Sequence, residues 1–213
     1  FFFAMLAELF IVKRKAGEIK WRTYPLEATL ASILSNSKIR GTLDSWLDTS
    51  YFPTGAFSSI LYENTAIGTL SCDHRFIYAV DDLAIPPPGS GVQHPNNAFI
   101  MRQQQMIQLP EGLRSLVNQN SLCAFDLESG RAKWQLGDPK RRDDPFNDSH
   151  FLGVPISIGG KLYVLNEKHA GGDVGAAGDA ELRLICIEPT KIADGRPHIV
   201  QTQSLGNVQQ QAR

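Results

Sequence analysis

Gly68–Asp82 reads GTLSCDHRFIYAVDD, and Gly153–Glu167 reads GVPISIGGKLYVLNE. Laid together without a gap, they put Gly153 on Gly68 and Tyr163 on Tyr78. Each contains an apolar, β-rich run, Ile77–Asp81 in one and Leu162–Asn166 in the other. Runs of that length and composition read as buried strands. A tight turn precedes each run, Asp73-His74-Arg75 or Gly159-Gly160-Lys161, and a short strand precedes each turn. The repeated unit is therefore read as a β-hairpin.

A second unit also recurs. Leu9–Trp21 reads LFIVKRKAGEIKW, and Leu122–Trp134 reads LCAFDLESGRAKW, with Gly130 on Gly17 and Trp134 on Trp21. The pattern is an apolar strand, an acidic residue (Asp126), a polar turn closing at glycine, and a strand ending in tryptophan. Gly130 suits a turn that needs positive φ. Trp134, beside the turn, is suited to packing over a neighbouring sheet. A worn third copy places Leu184–Glu188 on Leu122–Asp126. There Gly195 closes the turn after a short insertion, and His198-Ile199-Val200 stands where the tryptophan belongs.

A recurring hairpin points to a stacked or radial repeat architecture. Two hairpins make four antiparallel strands, the content of one propeller blade. The expected fold is all-β: a partial β-propeller of about two to three four-stranded antiparallel blades, with loop and short helical insertions. Residues 1–24 would end one blade, residues 57–136 would form a second, interrupted by an insertion at 83–118, and residues 151–205 a third. The N-terminal unit is a closing hairpin with no opening partner, so further blades are expected outside this chain. Pro25–Leu34 carries apolar residues at helical spacing (Leu26, Leu30, Ile33, Leu34). The insertion begins Ala84-Ile85-Pro86-Pro87-Pro88-Gly89, which cannot continue a ladder, and then runs through a Gln-rich stretch, Arg102–Gln108. In the next blade the equivalent connection, Lys168–Ala180, is rich in glycine and alanine. Both leave the blade at the same point and should emerge on one face. Phe99, Ile100, Met101 and Met106 mark the first as the candidate interaction loop.

Composition narrows the function classes. The 213-residue chain has 21 basic and 22 acidic side chains, so nothing favours a nucleic-acid partner or an anionic membrane surface. The three cysteines, Cys72, Cys123 and Cys186, form no CxxC pair and have no adjacent histidine, which argues against a zinc site. Cys123 and Cys186 lie in apolar runs, as buried thiols do. The opening FFFAMLAELFIV lacks the basic start and cleavage site of a signal peptide and is too short for a membrane span. The repeat reads its end, Leu9–Val12, as a buried strand.

Chemistry-bearing motifs are few. His74, His94, His150, His169 and His198 are scattered, with no HxH or HExxH spacing, and read as surface residues. The DDPFND stretch (Asp143–Asp148) lacks the glycine and closing glutamate of an EF-hand loop and reads as a solvated loop. Gly171–Gly178 has no Gly-Lys-Ser/Thr, and no GxSxG is present. The pair Asp81-Asp82 falls on Asn166-Glu167, where a repeat position explains it. No residue is assigned a catalytic, cofactor-binding or metal role. The positions singled out are structural to the repeat: Gly17, Trp21, Gly68, Tyr78, Asp126, Gly130, Trp134, Gly153 and Tyr163.

The segment AFDLESGRAKW (Ala124–Trp134) resembles the repeat of bacterial quinoprotein-type β-propellers. FLGVPISIGGKLYVLNEK (Phe151–Lys168) and TLSCDHRFIYAVDDLAIPPP (Thr69–Pro88) resemble bacterial proteins with PQQ-like repeats. The likeness covers residues 67–88 and 120–205 well and 9–21 less fully. It implies a propeller and favours an extracytoplasmic compartment, while leaving function open, because the fold carries both enzymes and binding proteins. The favoured reading is a non-catalytic scaffold or interaction module with a protein partner and no cofactor. The alternative is a fragment of a pyrroloquinoline-quinone-dependent dehydrogenase. That activity implies a central calcium, an aspartate base and usually a disulfide between adjacent cysteines, and this sequence has no vicinal Cys-Cys.

Overall fold

Short β-rich runs punctuated by turn residues fold here into antiparallel meanders. A computed structural model describes residues 2–5, 8–12, 18–22, 37, 41, 69–82, 119–138, 141–169 and 179–209. The first sheet holds β1 (Phe2–Met5), β2 (Glu8–Val12) and β3 (Ile19–Arg22). The second holds β4 (Ser71–Cys72), β5 (Phe76–Asp81), β6 (Ser121–Asp126) and β7 (Ala132–Leu136). The third holds β8 (Ser149–Ile158), β9 (Lys161–His169), β10 (Asp179–Ala193) and β11 (Arg196–Gln209). In each sheet every strand lies beside its neighbour in the chain. The chain is all-β in character, and the described sheets do not close into a ring. Both hairpin units expected from the repeat are present in each four-stranded sheet; β1 was not anticipated.

Local chemistry sets the turns. The Asp73 carboxylate accepts the amide hydrogens of Arg75 and Phe76 at 2.7 Å each, which folds the chain back from β4 into β5. Gly159 and Gly160 turn β8 into β9 at φ 60° and 76°, the pair of positive values that a two-residue primed hairpin turn needs. Asp194 and Gly195 do the same between β10 and β11 at 51° and 72°. The insertion seen in the third repeat is absorbed as a bulge: pairing passes from Glu188↔His198 to Ile192↔Pro197, leaving Pro189, Thr190 and Lys191 outside the ladder. Gly153, at φ 68°, sits in a comparable shift in β8, between Leu152 and Ile156.

Period-two alternation gives the second sheet two apolar faces. One face, Phe76, Tyr78, Val80, Leu122, Ala124, Trp134 and Leu136, packs on Phe151, Leu162, Val164, Ile185 and Ile187 of the third sheet. The other face, Ile77, Ala79, Cys123 and Phe125, packs under Trp21 of the first sheet. The middle sheet is thus covered on both sides. Cys123 and Cys186 are buried, as their apolar surroundings suggested.

The DDPFND stretch departs from the solvated loop expected of it. Asp144 is buried and caps the amide of Phe146 at 2.9 Å, and Phe146 enters the core. Asn147 donates to the carbonyls of Arg141 and Arg142, and Asp143 pairs with Arg196 at 3.0 Å. A single aromatic side chain buried from within an acidic run is enough to fix the whole loop. The helical stretch Pro25–Leu34, the insertion 83–118 and the connection 170–178 lie outside the described residues. Among the described residues no helix is long and apolar enough to cross a membrane.

Candidate functional site

Two groups of residues bear on function: the junctions between sheets, and a polar cluster at one end of the second and third sheets. The junctions contain most of the residues marked by the repeat. Trp21, in β3, donates its indole hydrogen to the carbonyl of Leu127 at 3.0 Å. Trp134, in β7, donates to the carbonyl of Pro189 at 2.9 Å and is buried. Leu127 and Pro189 follow Asp126 and Glu188, which are equivalent repeat positions. The same latch is therefore built twice, each time from one sheet to the next.

Gly130 serves this latch in two ways. Its φ is 70°, and the six-membered ring of Trp21 lies across it, so that a Cβ added there would fall 2.5 Å from Trp21 Cε3. Asp126 holds the turn underneath. Its carboxylate accepts from the Ser129 amide and hydroxyl at 2.8 Å each, and these bonds, hydroxyl first, keep its carboxyl below the usual range. Tyr78 packs 6.0 Å from the Trp134 ring and donates its hydroxyl to Asp73 at 2.6 Å. Burial, then that bond, drives the Tyr78 pKa upward. At Asp73 burial opposes ionisation, but the bonds from Tyr78, Phe76 and Arg75 outweigh it and the pKa falls.

Tyr163 shares its repeat position with Tyr78 and lies on the opposite, outward face of the third sheet, in one row with Ile156 and Cys186. Gly17, Gly68, Phe99, Ile100, Met101 and Met106 lie outside the described residues.

The polar cluster starts with Asn120. Its side chain accepts the Phe151 amide at 2.6 Å and donates to the Phe151 carbonyl at 2.9 Å and to Asp82 at 3.2 Å. One amide side chain thus continues the hydrogen bonding of the second sheet into the third. Gln119 reaches Gly137 at 3.1 Å and receives the Asp148 amide at 3.3 Å. Ser121 donates to the same Gly137 carbonyl at 2.8 Å. Asn166, fully buried, donates to Ser149 at 3.0 Å and His150 at 3.2 Å and accepts from Arg183. Asp81 stands at the rim, where burial and then the neighbouring Asp82 carboxylate raise its pKa to about 6.

His150 and His169 are not scattered in the fold. His150 Nδ1 and His169 Nε2 are 3.0 Å apart, with the two rings edge to face. Glu167 Oε1 lies 4.0 Å from the other nitrogen of His169, Nδ1. The β8–β9 register explains the meeting. His150 pairs with Glu167, which puts His169 on the same face, two residues further on. Burial, followed by the nearby His150, lowers the His169 pKa. Counted back from the turn, where Ile158 pairs with Lys161, an unshifted hairpin would set His150 directly opposite His169; the bulge after Leu152 moves His150 onto Glu167 and leaves the two histidines as diagonal neighbours.

Among the described residues no group of three or more His, Cys, Asp or Glu side chains is placed to hold a metal ion. Comparisons with protein-family models, with curated proteins and with solved structures find no match to this chain.

Proposed function

We propose that the chain is a non-catalytic β-propeller module of the PQQ-like repeat type, acting as a scaffold or protein-interaction domain. The observation that supports this most is a repeat of faces, not merely of strands. Tyr78, Leu122 and Ala124 lie on the face by which the second sheet packs on the third. Their repeat equivalents Tyr163, Leu184 and Cys186 lie together on the outward face of the third sheet. Each sheet thus gives one face to its predecessor and keeps the equivalent of its other face for a successor, the relation that blades have in a propeller. On that outward face Ile156 and Ile158 are 55 % and 64 % exposed, which suits a surface made to be covered by a further sheet. The tryptophan latches recur between the same repeat positions and support the same reading.

The scaffold reading is favoured over the dehydrogenase because the polar groups at the shared end are used to join the sheets or to brace each one internally. Asn120, Gln119, Ser121 and Asn166 are engaged with backbone or with one another. Pyrroloquinoline quinone and calcium have no part in this proposal. The partner surface is assigned to the insertion 83–118, which leaves the second sheet just past Asp82, beside that polar end. Two arms test the reading. The intact chain and a variant with Pro86–Gly112 replaced by a short Gly/Ser linker are compared for folding and for capture of a partner protein. A folded variant that loses the partner supports the proposal. Saturable binding of pyrroloquinoline quinone with calcium, followed by quinone absorbance, would overturn it in favour of the dehydrogenase.

A further inference from the structure

We propose that His150 and His169 form a two-nitrogen site for a divalent late transition-metal ion, Cu²⁺ or Ni²⁺, on the outward face of the third sheet. The first support is distance. The two ring nitrogens are 3.0 Å apart, and two metal–nitrogen bonds of about 2.05 Å spanning that gap subtend an angle of about 94°. Near-square geometry with imidazole donors suits Cu²⁺ and Ni²⁺ better than tetrahedral Zn²⁺, and Cu²⁺ also stands highest in the affinity order.

The second support is what stands behind the pair. Metal-bound imidazoles commonly direct their other ring nitrogen toward a carboxylate, which fixes the tautomer and strengthens the donor. Glu167 Oε1 lies 4.0 Å from His169 Nδ1, on the side of the ring away from the Nε2 that faces His150, so a small movement of the carboxylate would bring it into that role. The third support is rigidity. His150 lies in β8 and His169 closes β9, and the His169 amide is tied to the Asp148 carbonyl at 3.2 Å. Two donors on paired strands lose little freedom when an ion joins them. Two positions are supplied by protein, with the His169 side chain itself only 9 % exposed, and water or an external donor would complete the coordination. The ion differs in kind from the oxygen-bound calcium of quinoproteins, and the proposal does not rest on the propeller reading.

Titration of the whole chain with Cu²⁺, in a weakly chelating buffer at pH 7.5, tests it. The expected result is saturable one-to-one binding with a d–d absorption band, and paramagnetic resonance showing hyperfine splitting from two imidazole nitrogens. His150→Ala and His169→Ala should each weaken binding more than about tenfold, and Glu167→Gln by about tenfold. His198→Ala, a histidine outside the pair, should leave it unchanged. If the paired-histidine variants do not fold, the two-nitrogen signature of the wild-type chain decides the matter. Absence of saturable binding, a spectrum without two nitrogens, or folded His150 and His169 variants that bind as wild type would each overturn the proposal. The pair would then be a hydrogen-bonded cross-strand contact.

Discussion

The indole of Trp134 and the carbonyl of Pro189 are joined at 2.9 Å across the boundary between the second and third sheets, with the ring buried. The bond caps a carbonyl that the bulge in β10 leaves outside the ladder. Trp134→Phe keeps most of the apolar contact and removes the donor, so it should cost about 1–3 kcal/mol. Trp134→Ala also empties the core position and should cost about 3–5 kcal/mol. Urea denaturation of both variants measures the two parts. A Trp134→Phe loss near zero would mean that the hydrogen bond contributes nothing, and equal losses would mean that the filled core position adds nothing to it.

Gly130 carries two separable constraints, its positive φ and the Trp21 ring above it. Gly130→Ala should lose about 1–2 kcal/mol to backbone strain, and overpacking against the ring should add about 1–3 kcal/mol. In a Trp21→Ala background the second part vanishes. A double-mutant cycle with these two substitutions should therefore show coupling of more than about 1 kcal/mol. Additive effects would place the ring elsewhere.

Asn120→Ala removes both bonds to Phe151 and the contact to Asp82 in one step. The Phe151 amide and carbonyl would lose their Asn120 partner, so the loss should be about 2–4 kcal/mol. Hydrogen exchange at the Phe151 amide should accelerate more than at Val164, whose ladder is intact. Equal change at both sites would mean that Asn120 is not the link between the sheets.

The raised pKa of Asp81 has a definite sign. The folded protein holds this proton up to about pH 6, whereas the unfolded chain releases it near the ordinary value of 3.8. Its contribution is therefore fully present below that lower value and is lost as pH rises toward 6. The amount is of order 1–3 kcal/mol. Asp81→Asn should remove this part of the pH dependence, and its melting temperature should gain on the wild type between pH 4 and pH 6. Parallel profiles for the two proteins would refute the assignment.

Much of the fold was legible because its determinants are local. Gly159-Gly160 specifies a primed turn, Asp126 through Gly130 specifies a longer turn with its one positive φ at Gly130, and alternation in FIYAVD and SLCAFD specifies buried strands. The repeat then paired those hairpins correctly across the long insertion. What was not legible depends on register and on distant backbone. Asn120 finds Phe151 through no local pattern, and the carbonyl acceptor of Trp134 lies 55 residues away. His150 and His169 are cross-strand neighbours on either side of the Gly159-Gly160 turn, a meeting that no short HxH or HExxH spacing registers. The acidic loop was misread because charge counts missed the one phenylalanine, Phe146, that pulls it inward.

The two tryptophan latches run in one direction along the chain: Trp21 precedes its acceptor Leu127, and Trp134 precedes Pro189. During synthesis from the N-terminus, each ring is therefore made before the carbonyl that receives it. A growing chain presents every new sheet to a ready template and never has to reopen a finished one. Vectorial assembly is the expected consequence: nascent chains stalled beyond Pro189 should resist protease through the second sheet, whereas chains stalled just after Trp134 should not.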